Sequence, residues 1–123
     1  DQTQVGIGTS LGGVGIKFAR GTSKTAGANG AADTSNISTR DVGLSYAVDD
    51  AVSLYALFSD SKEETGTNAN DKMNTSTFGL SYAIAPGVSG LLETASADYT
   101  DNTAGSGNSD GQNTTTAKIK VSF

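Results

Sequence analysis

The sequence of 123 residues predicts an all-β fold, an antiparallel transmembrane β-barrel, and three features of the chain support that prediction. Apolar and polar residues alternate in the last segment, two nearly identical six-residue sequences occur, and short and long connections alternate between the predicted strands. Successive side chains of a strand point to opposite faces, so alternation gives a strand one apolar and one polar face. A membrane barrel needs both faces, because lipid surrounds its outside and water fills its lumen.

The final segment shows the alternation most clearly. Its apolar face consists of Ala117, Ile119, Val121 and Phe123. Its polar face consists of Thr116, Lys118, Lys120 and Ser122. Two lysines on one face exclude a core packed on both sides, because an unpaired buried ammonium group is too costly. The apolar face therefore needs an apolar neighbour, while the lysine face needs water.

An internal repeat divides the chain into pairs of strands. Residues 43–48 (GLSYAV) and 79–84 (GLSYAI) are nearly identical, and each is followed by a short break and a second strand. A weaker copy begins at Val5. Repetition of this kind marks a recurring supersecondary unit. The strands predicted from it cover residues 4–10, 14–20, 41–48, 52–59, 77–84, 88–99 and 114–123.

The connections between these strands fall into two classes. Short ones near 11–13, 49–51 and 85–87 contain Gly, Asp and Pro, which suit tight turns. Long ones at about 21–39, 60–75 and 100–113 are rich in Gly, Ser, Thr, Asn and Asp. Bacterial outer-membrane barrels show the same asymmetry, with short periplasmic turns and longer extracellular loops. The sequence thus predicts which end of the sheet faces outward from the cell.

Two sets of side chains are predicted to face lipid and water. The apolar set of strands two to five is Val14, Ile16, Phe18, Val42, Leu44, Tyr46, Val48, Val52, Leu54, Ala56, Phe58, Phe78, Leu80, Tyr82 and Ile84. In the sixth strand, Leu92 is placed outward and Glu93 inward. The residues predicted to form aromatic belts at the two membrane interfaces are Phe18, Tyr46, Phe58, Phe78, Tyr82, Tyr99 and Phe123. The residues predicted to line a pore are Lys17, Tyr55, Glu93, Lys118 and Lys120.

Composition narrows the function classes. The chain has no cysteine, histidine or tryptophan, so thiol chemistry, disulfides, histidine general acid–base catalysis and the usual zinc sites are excluded. No arrangement of the remaining polar residues suggests an enzyme, a metal site or a cofactor site. The net charge of −5 offers no basic stripe for nucleic acid. No apolar run is long enough for a transmembrane helix, which leaves strands as the only spanning elements.

Three segments together resemble the C-terminal half of general Gram-negative porins. They are the repeated GLSYA unit, the strand VSLYALFSDS at residues 52–61 and the terminal KIKVSF, which is similar to the assembly signal of outer-membrane barrels. The likeness covers residues 41–123 well and 4–20 loosely. It implies a sixteen-stranded, homotrimeric barrel in the outer membrane that passes small hydrophilic solutes and ions by diffusion. It also implies contact with outer-membrane lipid and lipopolysaccharide, for which Arg20 and Arg40 are candidates at the extracellular rim.

The odd number of predicted strands bears on the domain assignment. Single-chain bacterial barrels have even strand numbers, and open sheet edges do not occur in lipid. Residues 1–123 are therefore predicted to form the C-terminal part of a larger barrel. Two alternatives stay open: a secreted or surface-anchored β-rich adhesin or structural protein, and a small anchoring barrel of about eight strands.

Overall fold

The computed structural model describes residues 1–25, 35–65, 69–102 and 108–122, which form one open antiparallel sheet of seven strands. The strands lie in chain order, each paired with the next. Their bounds are β1 Gln2–Leu11, β2 Val14–Thr25, β3 Ser35–Ala47, β4 Val52–Thr65, β5 Ala69–Ala85, β6 Val88–Thr100 and β7 Ser109–Val121. Among the described residues, no helix is long and apolar enough to cross a bilayer. The all-β antiparallel prediction is confirmed.

The strands are longer than predicted at the ends that lead into the long connections. Much of the sequence predicted as connections 21–39, 60–75 and 100–113 is strand, because β2 reaches Thr25, β3 begins at Ser35, and β4 pairs with β5 as far as Thr65. These extensions are built from Ser, Thr, Asn and charged residues. Backbone hydrogen bonds continue a ladder whatever the side chains are, so an apolar pattern underestimates strand length here.

The short connections follow from their residue types. Gly12 and Gly13 join β1 to β2 with φ angles of 58° and 81°, which fits a two-residue hairpin that needs positive φ at both positions. Between β3 and β4, the Asp49 carboxylate accepts hydrogen bonds from the backbone N–H groups of Ala51 and Val52, at 2.8 and 2.7 Å. An aspartate that bonds to backbone a few residues ahead closes a turn locally.

The register assigns every strand residue to one of two faces. Phe18 pairs with Val42, Val42 with Phe58, and Leu54 with Leu80, so the predicted apolar residues share one face. Leu92 pairs with Leu80 and joins this face. An irregularity lies between Ala83 and Ala85, beside the turn to β6. The predicted alternation of apolar and polar faces is confirmed.

The sheet is a single layer without a buried core. Among the described residues, no hydrophobic side chain is buried. Leu54 and Leu80, in the middle of the sheet, are 41% and 38% exposed, whereas Ile7 and Ile119, in the outermost strands, are 75% and 74% exposed. Side chains of the sheet therefore shield one another only sideways, and nothing within the described residues covers the apolar face.

Candidate functional site on the two faces of the sheet

Each face of the sheet has a distinct chemistry. We call the face that carries Leu44, Leu54 and Leu80 the apolar face. The opposite one, which carries Lys17, Tyr55 and Glu93, is called the polar face. Because alternate residues of the same strands build both, the two faces stand one sheet thickness apart.

Five of the seven predicted aromatic-belt residues lie on the apolar face. These are Phe18, Tyr46, Phe58, Phe78 and Tyr82. On this face, the three phenylalanines are the first apolar residues of their strands from the long-connection end, while the two tyrosines lie near the short turns. The rings of Phe58 and Phe78 meet edge to face, with centroids 5.5 Å apart. Such a contact adds about 1 kcal/mol to the burial of the rings.

Of the other two predicted belt residues, the structure describes only Tyr99. Tyr99 pairs with Met73 and Asp110 and therefore lies on the polar face, contrary to the prediction. The placement of Leu92 outward already requires this, because Tyr99 is an odd number of residues further along the same strand. The prediction rests on the position of Tyr99 along its strand, near the long connection, whereas the alternation of side chains decides which face carries the residue. Phe123 lies outside the described residues.

The apolar residues form a band that crosses the strands obliquely. Counted from the long-connection end, the first apolar residue on this face is Val5 in β1 and Ala117 in β7. The row of paired residues that starts at Val5 in β1 ends at Gly111 in β7, six residues before Ala117. The boundary thus shifts by about one residue per strand. With a rise of about 3.3 Å per residue and about 4.8 Å between strands, the strands tilt by about 35° from the direction that lies in the sheet perpendicular to the band.

The polar face brings two of the predicted pore-lining residues together. Tyr55, Gly79 and Glu93 are direct neighbours on β4, β5 and β6. The Tyr55 hydroxyl donates a short hydrogen bond to the Glu93 carboxylate, and the tyrosine ring crosses the space that a side chain at position 79 would fill. A Cβ atom at position 79 would collide with the ring in this position, so a larger residue there would displace the tyrosine. The three residues form a clasp across three strands, which we call the Tyr55 clasp.

The three predicted lysines share this face but stand apart. Lys17 lies in β2 between its register partners Gly8 and Gly43. Lys118 and Lys120 lie in β7, opposite Leu91 and Ser89 of β6. Within the described part of the chain, none of these lysines forms an ion pair, and the partner of Glu93 is Tyr55. No acid of the described residues therefore neutralises the charge of these three ammonium groups.

A polar network that the sequence did not predict lies at the long-connection end of the polar face. The Asp71 carboxylate accepts a hydrogen bond from the backbone N–H of Asn102 at 2.9 Å and from the Tyr99 hydroxyl at 3.4 Å. The Ser35 hydroxyl donates to Glu63 at 2.8 Å. Partial desolvation, together with the charge of Asp71, raises the pKa of Tyr99. The pairing of Glu63 with Asp71 across β4 and β5, which only the register reveals, brings these groups together.

Metal binding and relationships to known proteins add no further assignment. In the described ranges, no group of three or more histidine, cysteine or acidic residues is arranged to hold a metal ion. Comparison of the chain with known protein families, curated proteins and solved structures found no match. The two faces, with their band, clasp and lysines, are thus the features from which function is argued.

Proposed function

We propose that the chain is the C-terminal part of an outer-membrane porin, a transmembrane β-barrel that forms a water-filled channel for passive diffusion of small hydrophilic solutes and ions. One observation carries the proposal. The single-layer sheet exposes a continuous apolar face, and its other face carries lysines, a glutamate and hydroxyl groups. Lipid on one side and water on the other stabilise such a sheet, whereas water on both sides would leave the whole band solvated.

The slope of the apolar band supports a membrane barrel over a flat surface sheet. Strands of outer-membrane barrels tilt by about 35–45° from the membrane normal. The tilt of about 35° inferred from the band boundary reaches that range without any assumption about closure. Aromatic side chains flank the aliphatic part of the band at both ends, as they do at the two interfaces of a bilayer.

The two outer strands indicate how the barrel is completed. In the sheet that the described residues form, β1 and β7 each have one strand neighbour, and an exposed ladder edge is not tolerated in lipid. Six antiparallel steps make β1 and β7 run in the same direction, so they do not pair antiparallel with each other. We propose that an odd number of further strands closes the barrel, consistent with sixteen strands in total, and that three such barrels form a homotrimer in the bacterial outer membrane.

The first test concerns the need for a bilayer. We expect the purified chain to stay dispersed only in detergent or lipid, because the apolar face has no second layer of protein. The measurement is sedimentation after dilution into detergent-free buffer. A monomer that remains in solution there and unfolds in one cooperative transition would contradict the membrane assignment.

The second test concerns conduction. In the assembly that closes the barrel, changing Lys17, Lys118 and Lys120 together to glutamate should shift the reversal potential toward cations while a channel persists. Planar-bilayer recording under a salt gradient measures this shift. The matched control changes Lys24, Lys62 and Lys72 to glutamate, because these three lysines lie on the apolar face. Absence of conductance from a closed, folded assembly would favour an anchor or adhesin instead.

A further inference from the structure

The hydrogen bond of the Tyr55 clasp joins two strands that are not neighbours. Tyr55 lies in β4 and Glu93 in β6, so β5 runs between them and their backbones are about 9.6 Å apart, which is two strand spacings. Gly79 of β5 makes this reach possible, because a Cβ atom there would occupy the place of the tyrosine ring. The position of the Glu93 carboxylate therefore depends on a residue two strands away.

A cation stands nearer to Glu93 along the backbone than Tyr55 does. The register partner of Glu93 in β7 is Thr116, and Lys118 follows two residues later on the same face. Such diagonal neighbours are about 7–8 Å apart, within reach of long side chains. Lys118 is the only cation among the described residues directly around Glu93 on this face. The carboxylate nevertheless accepts its hydrogen bond from the Tyr55 hydroxyl, and no described acid forms an ion pair with Lys118.

The separation of these two charges changes the electric field at the polar face. In water, one elementary charge changes the local concentration of an ion about 4 Å away by a factor of about five. Lys118 attracts anions with this strength as long as no carboxylate lies beside its ammonium group. A carboxylate in contact with the ammonium group would cancel most of the attraction, because the two opposite charges would then act on a passing ion from nearly the same place.

We infer that Tyr55 is a positioning residue that sets the ion selectivity of the channel: its hydroxyl holds Glu93 away from Lys118, so that Lys118 stays unpaired and favours anions. The inference rests on the proposed function, because it requires a water-filled lumen on the polar face. It assigns a part in charge selectivity to a neutral residue. If Tyr55 served only to fill the space above Gly79, its hydroxyl would have no influence on selectivity.

The test removes the hydroxyl and keeps the ring. In the assembly that closes the barrel, Tyr55→Phe should lower the anion-to-cation permeability ratio about two- to fivefold, as measured by the reversal potential of planar bilayers under a salt gradient. The change should disappear when Glu93→Gln is already present, because no carboxylate is then released, and should shrink by about half or more when Lys118→Gln is present. Tyr82→Phe makes the same chemical change on the apolar face and should leave the ratio unchanged.

A second variant releases Glu93 by another route. Gly79→Ala displaces the tyrosine ring but keeps its hydroxyl, and it should lower the permeability ratio in the same direction as Tyr55→Phe. Circular dichroism of each variant in detergent shows whether its strands are retained, so a folding defect is recognised as such.

The outcomes separate this inference from the proposed function. An unchanged ratio in Tyr55→Phe, or a change of the same size when Lys118→Gln is present, contradicts the positioning role while the channel itself still conducts. Absence of conductance from the closed assembly with the natural sequence contradicts the positioning role and the proposed function together.

Discussion

The apolar and polar faces of this sheet are made by the same strands, yet they are stabilised in different ways. On the polar face, polar side chains bind to one another across strands, as in the Tyr55 clasp and in the hydrogen bond from the Ser35 hydroxyl to the Glu63 carboxylate at 2.8 Å. On the apolar face, the described side chains make few specific contacts, of which the Phe58–Phe78 ring pair is one. The comparison teaches that the solvent beside each face, and not a shared core, decides its stability.

The two faces should respond in opposite ways to an introduced charge, and this is the largest effect we expect. Leu80→Arg places a cation in the middle of the band and should cost about 2–4 kcal/mol of membrane stability. Ser81→Arg, on the adjacent residue of the same strand, points to water and should leave stability nearly unchanged. Denaturant titration of the chain folded in lipid vesicles measures both variants. Equal losses at the two positions would mean that the faces are assigned wrongly.

The Tyr55 clasp offers a second way to separate the faces. Gly79→Ala forces a Cβ atom into the tyrosine ring and should cost about 1–3 kcal/mol, as overpacking does elsewhere. The control is Gly21→Ala on the same face, where a Cβ atom would lie 3.7 Å from the nearest atom. Adding Tyr55→Ala to Gly79→Ala should recover part of the loss. A Gly79→Ala variant as stable as the control would show that the clasp does not order these strands.

Much of the architecture was predictable from alternation, because a period of two fixes both the strands and their faces. Seven strands and three tight turns follow from the alternation along the whole chain and from the repeat of residues 43–48 at 79–84, and the predicted outward position of Leu92 is confirmed by its pairing with Leu80. The polar strand extensions did not, since Ser, Thr and Asn pair through the backbone without an apolar signature. The contact between Tyr55 and Glu93 depends on the register of three strands, which no local pattern specifies.

The smallest expected effect lies at the long-connection end of the apolar face. The hydrogen bond and charge of Lys62 hold the pKa of the Glu64 carboxyl below its usual value. A carboxyl with a lowered folded-state pKa contributes stability above its unfolded pKa and loses it as pH falls through the folded value. Lys62→Gln should therefore raise the pKa of Glu64, as followed by NMR titration of the side chain in micelles. An unchanged titration would show that the pair does not form in solution.

The central claim, that the apolar face contacts lipid while the polar face contacts water, is tested most directly by labelling single cysteines along β5. The chain has no cysteine of its own, so each variant carries one reporter. Fluorescent labels at positions 80 and 82 should be quenched by an agent attached to lipid chains, and labels at positions 81 and 83 by a water-soluble agent. Lipid quenching that alternates with the residue number is the predicted result. Quenching by the water-soluble agent at all four positions would contradict the account.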